Sequence, residues 1–218
     1  MKKSVLFLLV LFCFGMHAVA EAPAGYYSSA NGKSGNSLRL ALQDIIDNHT
    51  VVSYDNLYKL YVASDSHDDG SLWDMYSTCT WTHGSKKCGS YSGVCDCYNR
   101  EHSVPQSWFG EKSPMKSDAF HVIPTDGKVN NQRSNYPFGE CSGGTTLSSK
   151  ALGRLGNSTF SGYSGKVFEP DDEYKGDFAR GYFGTMIKWA GDYQAFTSDD
   201  GSKMFSSNYN ERCLWSYQ

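Results

Sequence analysis

Apolar residues fall into a few helix-spaced clusters separated by polar, glycine-rich stretches. Leu38, Leu42, Ile45 and Ile46 recur at the spacing that places side chains on one helix face, behind Asn36 and Ser37 as potential caps. This predicts a core-packing helix. A second helix is predicted from near Ser53, with Tyr54, Leu57, Tyr58 and Tyr61 on one face and its tyrosines read as packing groups. A short helix over Val129 to Asn135 should stop before Pro137, because a proline disfavours helical backbone in the residue ahead of it. The last helix is predicted from Asp177, placed as its cap, to Trp189, with Phe178, Tyr182, Met186 and Trp189 as its apolar face. Strand signals are short and scattered. The expected fold is a mainly helical α+β single domain with a small antiparallel sheet.

The N-terminus changes the cellular setting. Lys2 and Lys3 precede an apolar run from Val5 to Met16 and the small residues Ala18, Val19 and Ala20, a pattern that predicts a secretory signal peptide over residues 1–20. The run is too short for a convincing membrane span. Residues 21–218 are then expected to form one soluble, monomeric, exported domain, periplasmic or extracellular. Export gives the cysteines meaning: Cys13 leaves with the signal, and Cys79, Cys88, Cys95, Cys97, Cys141 and Cys213 suffice for up to three disulfides. Their pairing stays open, although Cys95 and Cys97 are poorly placed to bond each other. A zinc site is the weaker reading, since Cys95-Asp-Cys97 lacks the usual ligand spacing and a second pair. The three aspartates between Asp65 and Gly70 read as a solvated turn, because a calcium loop would need a longer ligand pattern and a distal glutamate.

Charge gives little help with a polyanionic partner. The formal net charge of −3 becomes about −5 without Lys2 and Lys3, so any nucleic-acid contact must be local. Between Gly84 and Arg133 the balance reverses weakly, with Lys86, Lys87, Arg100, Lys112, Lys116, Lys128 and Arg133 against Asp96, Glu101, Glu111, Asp118 and Asp126.

Within that region Glu101 and His102 combine a hard oxygen ligand with a side chain that titrates near neutrality, two parts of metal-assisted hydrolysis. Adjacent residues on a regular strand point to opposite faces, so sharing one site is expected to require irregular backbone. A second polar set, from Phe120 to Asp126 and from Val129 to Asn135, lies far enough along for two strands to lead into a helix facing the first set. A carboxylate from one arm and an amide oxygen from the other suit Mg²⁺, which retains several waters.

Tyr98-Asn-Arg-Glu-His102, Pro105, Trp108, Asp118 to Pro124, Lys128 to Asn135, Phe138-Gly139, Phe168-Glu-Pro170 and Gly176 to Arg180 together resemble the bacterial endonuclease I family of ββα-metal, or His-Me finger, nucleases. The resemblance implies His102 as general base, Glu101 and Asn130 as ligands of one divalent metal ion (Mg²⁺, with Ca²⁺ or Mn²⁺ as alternatives), and cleavage of DNA and RNA to leave 5′-phosphate ends. Some members carry a longer, arginine-containing insertion where Phe109 to Asp118 is short and lacks arginine. Lys112 and Lys116 are the cations of that stretch, and Arg133 and Arg180 are further candidate phosphate contacts. His121 is a candidate supporting group behind the site, with a buried structural role favoured. Members also continue past the segment like Asn208 to Trp215, so the domain ending at Gln218 reads either as a naturally short form or as one truncated at its C-terminus. The expected function is an exported metal-dependent endonuclease. The alternatives are a catalytically impaired nucleic-acid-binding relative and an exported disulfide-stabilised interaction protein.

Overall fold

The computed structural model describes residues 22–161 and 163–189. The expected signal peptide and Cys213 lie outside them. The first helix, α1 (Gly35–Asp47), starts with Ser34 at its N-cap, so Asn36 and Ser37 lie inside the first turn; Asn36 accepts two hydrogen bonds from Arg39 instead of capping. Only Ala41 of α1 is fully buried, while Leu38, Leu42, Ile45 and Ile46 are half-buried. The helix is therefore peripheral rather than central. A tight turn at Tyr54–Asn56 leads into α2 (Leu57–Ser64), whose Leu57 and Tyr61 are buried. The Tyr61 hydroxyl donates to the Val122 carbonyl at 3.0 Å.

After the expected turn at Asp65 to Gly70, β1 (Ser71–Leu72) pairs antiparallel with β2 (Trp81–Thr82). The cysteine-rich loop that follows is closed by Cys79–Cys95 and Cys88–Cys97 and delivers the chain to β3 (Tyr98–His102). β3 pairs antiparallel with β4 (Val122–Asp126), in unbroken register from Tyr98↔Asp126 to His102↔Val122. β4 runs directly into α3 (Gly127–Arg133). A three-stranded antiparallel sheet of β5 (Cys141–Thr145), β6 (Arg154–Ser158) and β7 (Lys166–Glu169) follows in the order β5-β6-β7. Its register shifts between Ser142 and Thr145, where Gly143 and Gly144 take φ of 67° and 96°, backbone that side-chain-bearing residues rarely adopt. The last described helix is α4 (Lys175–Lys188), with Gln43 of α1 donating to its Lys188 carbonyl at 3.1 Å.

The α+β class holds, but the described residues are not mainly helical. Among the described residues, seven strands of two to five residues accompany four α-helices. Segments such as Cys-Ser-Gly-Gly-Thr in β5 contain few β-branched or aromatic residues, so their sequence barely reads as strand. Helix α4 begins earlier than predicted, with Tyr174 at the N-cap and Asp177 in the first turn, where a carboxylate favours the helix dipole. Its predicted face is present, with Phe178, Tyr182 and Trp189 buried. No described helix is long and apolar enough to cross a membrane.

Two apolar clusters lie on either side of the β3–β4 pair. One gathers Tyr76, Phe109, Ile123, Val129, Phe138, Phe168, Phe178 and Tyr182; the other gathers Leu57, Tyr61, Trp81, Tyr98 and Val122. Partners across an antiparallel ladder project to one face, and neighbours along a strand alternate. Asn99 and Glu101 therefore project towards α3, and Tyr98, Arg100 and His102 towards α2.

Candidate active site

A cavity of about 500 Å³ lies against β3 and is lined by Tyr54, Asn99, Arg100, Glu101, His102 and Asn130, among others. Because β3 has β4 on one side only, apart from a single bridge between Lys87 and Tyr98, its other edge is open among the described residues. An opening at a strand edge collects side chains from both faces. The expectation that Glu101 and His102 need irregular backbone to share a site is thus corrected: their register is regular, and the cavity wraps the strand's edge.

Glu101 is 2% exposed. Its Oε1 accepts from the Tyr76 hydroxyl at 2.8 Å and from Arg133 Nη1. Burial pushes this carboxyl up, while the Arg133 guanidinium and then the Tyr76 hydroxyl pull it back towards ionisation. Both of these side-chain donors fall on Oε1, and Glu101 lines the cavity. Tyr76 is held in turn by Asp74, which accepts its backbone N–H at 2.8 Å, the Trp81 indole N–H at 2.9 Å and the Asp126 N–H at 3.0 Å.

His102 is also buried, and its Nε2 lies 3.0 Å from the Lys116 carbonyl. A carbonyl can only accept, so Nε2 carries the proton and Nδ1 keeps a lone pair. Burial, reinforced by His121, lowers the imidazole's pKa to about 3, so the ring is neutral at physiological pH. Tyr54 stacks on it with centroids 5.7 Å apart and planes 28° apart. The turn Met115–Ser117 holds two histidines with successive carbonyls, Lys116 taking His102 and Met115 taking His121 at 2.9 Å. His121 is fully buried, 6.0 Å centroid to centroid behind His102, and does not line the cavity.

Asn130 comes from α3, whose start is fixed by Asp126. One Asp126 oxygen caps the helix by accepting from the N–H groups of Lys128 and Val129 at 2.8 and 2.9 Å; the other accepts the Cys95 N–H at 2.7 Å. The helix N-terminus is thereby tied to the disulfide loop. Asn130 donates from Nδ2 to Asn99 Oδ1 at 2.8 Å and to the Arg100 carbonyl at 3.4 Å, so its amide oxygen remains for a ligand. Among the described residues no three His, Cys, Asp or Glu side chains gather as a metal-binding group. A carboxylate oxygen and an amide oxygen at one polar cavity fit a hard divalent cation that keeps most of its waters.

The proposed phosphate contacts fare differently. Arg133 is fully buried and donates to Glu101, to the carbonyls of His102, Ser103 and Tyr136, and to the Tyr182 hydroxyl. Those bonds engage all three guanidinium nitrogens, so Arg133 is corrected from phosphate contact to the group that positions Glu101. Arg180 is exposed, pairs with Asp177 and lies outside the cavity lining, as does Lys112. Lys116 also lies outside the lining, and pairs at 2.9 Å with Glu111, which is part of it. Tyr54 and Tyr58, read from sequence as packing groups, line the cavity with Arg100. Asp74, Tyr76 and Asp126 were also unassigned; of these only Asp126, an aspartate directly before Gly127 and a helical run, carried a readable capping signal.

An α+β domain with a buried carboxylate, a neutral histidine and an amide oxygen around a polar cavity has the parts of a hydrolytic centre. The family model for endonuclease I matches residues 34–214, and the chain belongs to that family. It is 32% identical over 171 residues to the "Extracellular ribonuclease" of Bacillus subtilis (strain 168), covering 77% of this chain and 54% of that protein. It is 33% identical over 168 residues to the protein of the same name from Bacillus amyloliquefaciens, covering 76% and 54%. The chain thus spans about half the length of the curated relatives it matches.

Proposed function

We propose that this protein is an exported endonuclease that hydrolyses phosphodiester bonds in DNA and RNA with one divalent metal ion, Mg²⁺ being the best fit. The observation that carries this reading is the convergence on one cavity of His102, neutral and protonated on Nε2, with the carboxylate of Glu101 and the amide oxygen of Asn130. Two disulfides and the relatives' extracellular naming support export.

In this reading His102 Nδ1 takes a proton from a water molecule, and the water oxygen attacks phosphorus in line with the departing 3′ oxygen. The Lys116 carbonyl fixes the imidazole plane and stabilises the imidazolium that forms, and the Tyr54 ring keeps it from turning. Arg133 and Tyr76 hold the Glu101 carboxylate in place through Oε1. The bound cation would supply charge neutralisation at the phosphoryl group and the leaving oxygen. The hairpin of β3 and β4 followed by α3 would act as the ββα-metal motif.

Plasmid DNA and structured RNA incubated with the oxidised protein should be degraded in Mg²⁺ and spared in EDTA. His102→Ala should lower turnover by about a hundredfold or more while leaving oligonucleotide affinity within about twofold, because it removes a base and no phosphate contact. Undiminished turnover in that variant would falsify the assignment. Binding by the wild type without cleavage in any divalent metal would instead establish a non-catalytic nucleic-acid-binding relative.

A further inference from the structure

On the face of β3 that carries His102, cations cover two aromatic rings. The Arg100 Cζ lies 3.5 Å from the Tyr54 centroid and 4.5 Å from that of Tyr58. Lys87 Nζ lies 5.0 Å from the Tyr58 ring, and Lys116 Nζ 5.6 Å from the Tyr54 ring. Arg100 is held through one nitrogen: Nη1 donates to the Tyr54 carbonyl at 2.7 Å and to Asp55 Oδ1 at 3.3 Å. Nε and Nη2 have no hydrogen-bond partner among the described residues and are not buried orphans. Arg100 is also the one cationic side chain among the described residues lining the cavity of Glu101 and His102.

We propose that Arg100 is the phosphate-binding group of this site, gripping the phosphate beside His102 through Nε and Nη2, with Lys87 and Lys116 attracting neighbouring phosphates of the same strand. The inference rests on the phosphodiesterase reading and adds what that reading lacks, a positive partner for the substrate in a protein of net negative charge. The side-on edge of a guanidinium matches two phosphate oxygens. Tyr54 and its own carbonyl fix the guanidinium plane beforehand, so little side-chain freedom is left to lose on binding. Asp55 faces Arg100 with a side chain 97% exposed, where solvent screening leaves a weak competitor that a phosphate displaces. Because β3 places Arg100 and His102 two residues apart on one face, with Tyr54 against both, the gripped phosphate lies next to the imidazole.

The test is binding of a fluorescent single-stranded oligonucleotide by anisotropy in EDTA, across a salt titration, with Mg²⁺-dependent cleavage by the wild type measured in parallel. Arg100→Gln should weaken binding about tenfold or more and flatten the slope of log affinity against log salt by about 0.7, the amount for one phosphate contact on a single strand. Arg100→Lys should keep the slope and lose affinity, since a point charge lacks the fork. Asp55→Asn should tighten binding about twofold to fivefold by releasing the competitor, a gain that misfolding cannot produce. An unchanged slope in Arg100→Gln, or no tightening in Asp55→Asn, overturns the proposal. Failure of the wild type to cleave counts against the phosphodiesterase reading alone, because the binding arms read Arg100 without it.

Discussion

Replacing Arg133 by glutamine separates its two possible roles, because they predict opposite results. In the structure the side chain is fully buried and spends its donors on Glu101, three carbonyls and a tyrosine hydroxyl. Removing one partner of a buried ion pair costs about 3–5 kcal/mol, because the remaining charge is left uncompensated. Each carbonyl that loses its donor adds roughly 1 kcal/mol. With three carbonyls affected, the variant should therefore lose on the order of 6–8 kcal/mol, a large part of the roughly 5–15 kcal/mol that a domain possesses. Urea unfolding followed by tryptophan fluorescence, with disulfides intact, would measure the loss. Pairing Arg133→Gln with Glu101→Gln should recover about 1 kcal/mol or more relative to additivity, since the double variant no longer buries a lone carboxylate. Metal-free oligonucleotide affinity of folded Arg133→Gln should stay near wild type. If instead its unfolding midpoint holds within about 0.5 kcal/mol and nucleic-acid binding collapses, the guanidinium reaches substrate and the positioning role is wrong.

Asp126→Ala removes the α3 cap and the acceptor for the Cys95 N–H, and should cost about 2–4 kcal/mol in urea unfolding while weakening Mg²⁺ dependence through Asn130; an unchanged metal titration would refute the link between cap and site. Glu169 gives a pH signature. Burial opposes its ionisation, but the Cys141 N–H, Arg154 and Lys175 hold its carboxyl down at about 2. Its folded pKa is depressed, so its stabilising contribution is present above the ordinary carboxylate value of about 4.3 and disappears as pH falls through that value towards 2. Glu169→Gln should lower stability at pH 7 and flatten its fall between pH 5 and pH 3, as followed by unfolding midpoints; parallel acid curves would refute the assignment.

Helices were the more legible part of the sequence. Phe178, Tyr182 and Trp189 keep strict helical spacing, so the face of α4 could be read directly, whereas its start was hidden because Tyr174 sits at the N-cap without a side-chain capping hydrogen bond. In the second helical segment the spacing was right and the role was incomplete. Leu57 and Tyr61 form one i, i+4 row that goes into the core; Tyr54 and Tyr58 form the adjacent row, which faces the cavity. Periodicity cannot separate a buried row from one that borders a cavity. Glu101, His102 and Asn130 were legible as a combined pattern, and the fold brings them to one cavity. Arg133 was not, because sequence names a guanidinium without saying whether carbonyls or solvent surround it. Tyr76 and Asp74 act from a loop distant in sequence from Glu101, with no spacing to announce them.

The strand β3 also limits how this protein can vary. With cores on both faces and a partner on one edge, each position from Tyr98 to His102 has a fixed side of the sheet. Deleting one residue here would turn the glutamate towards the tyrosines and the histidine towards Arg133, exchanging two environments that suit neither. Residues within the run can be substituted one at a time, but its length cannot change by one. Across divergent relatives, insertions and deletions should therefore collect in the loops on either side of this strand and spare its interior.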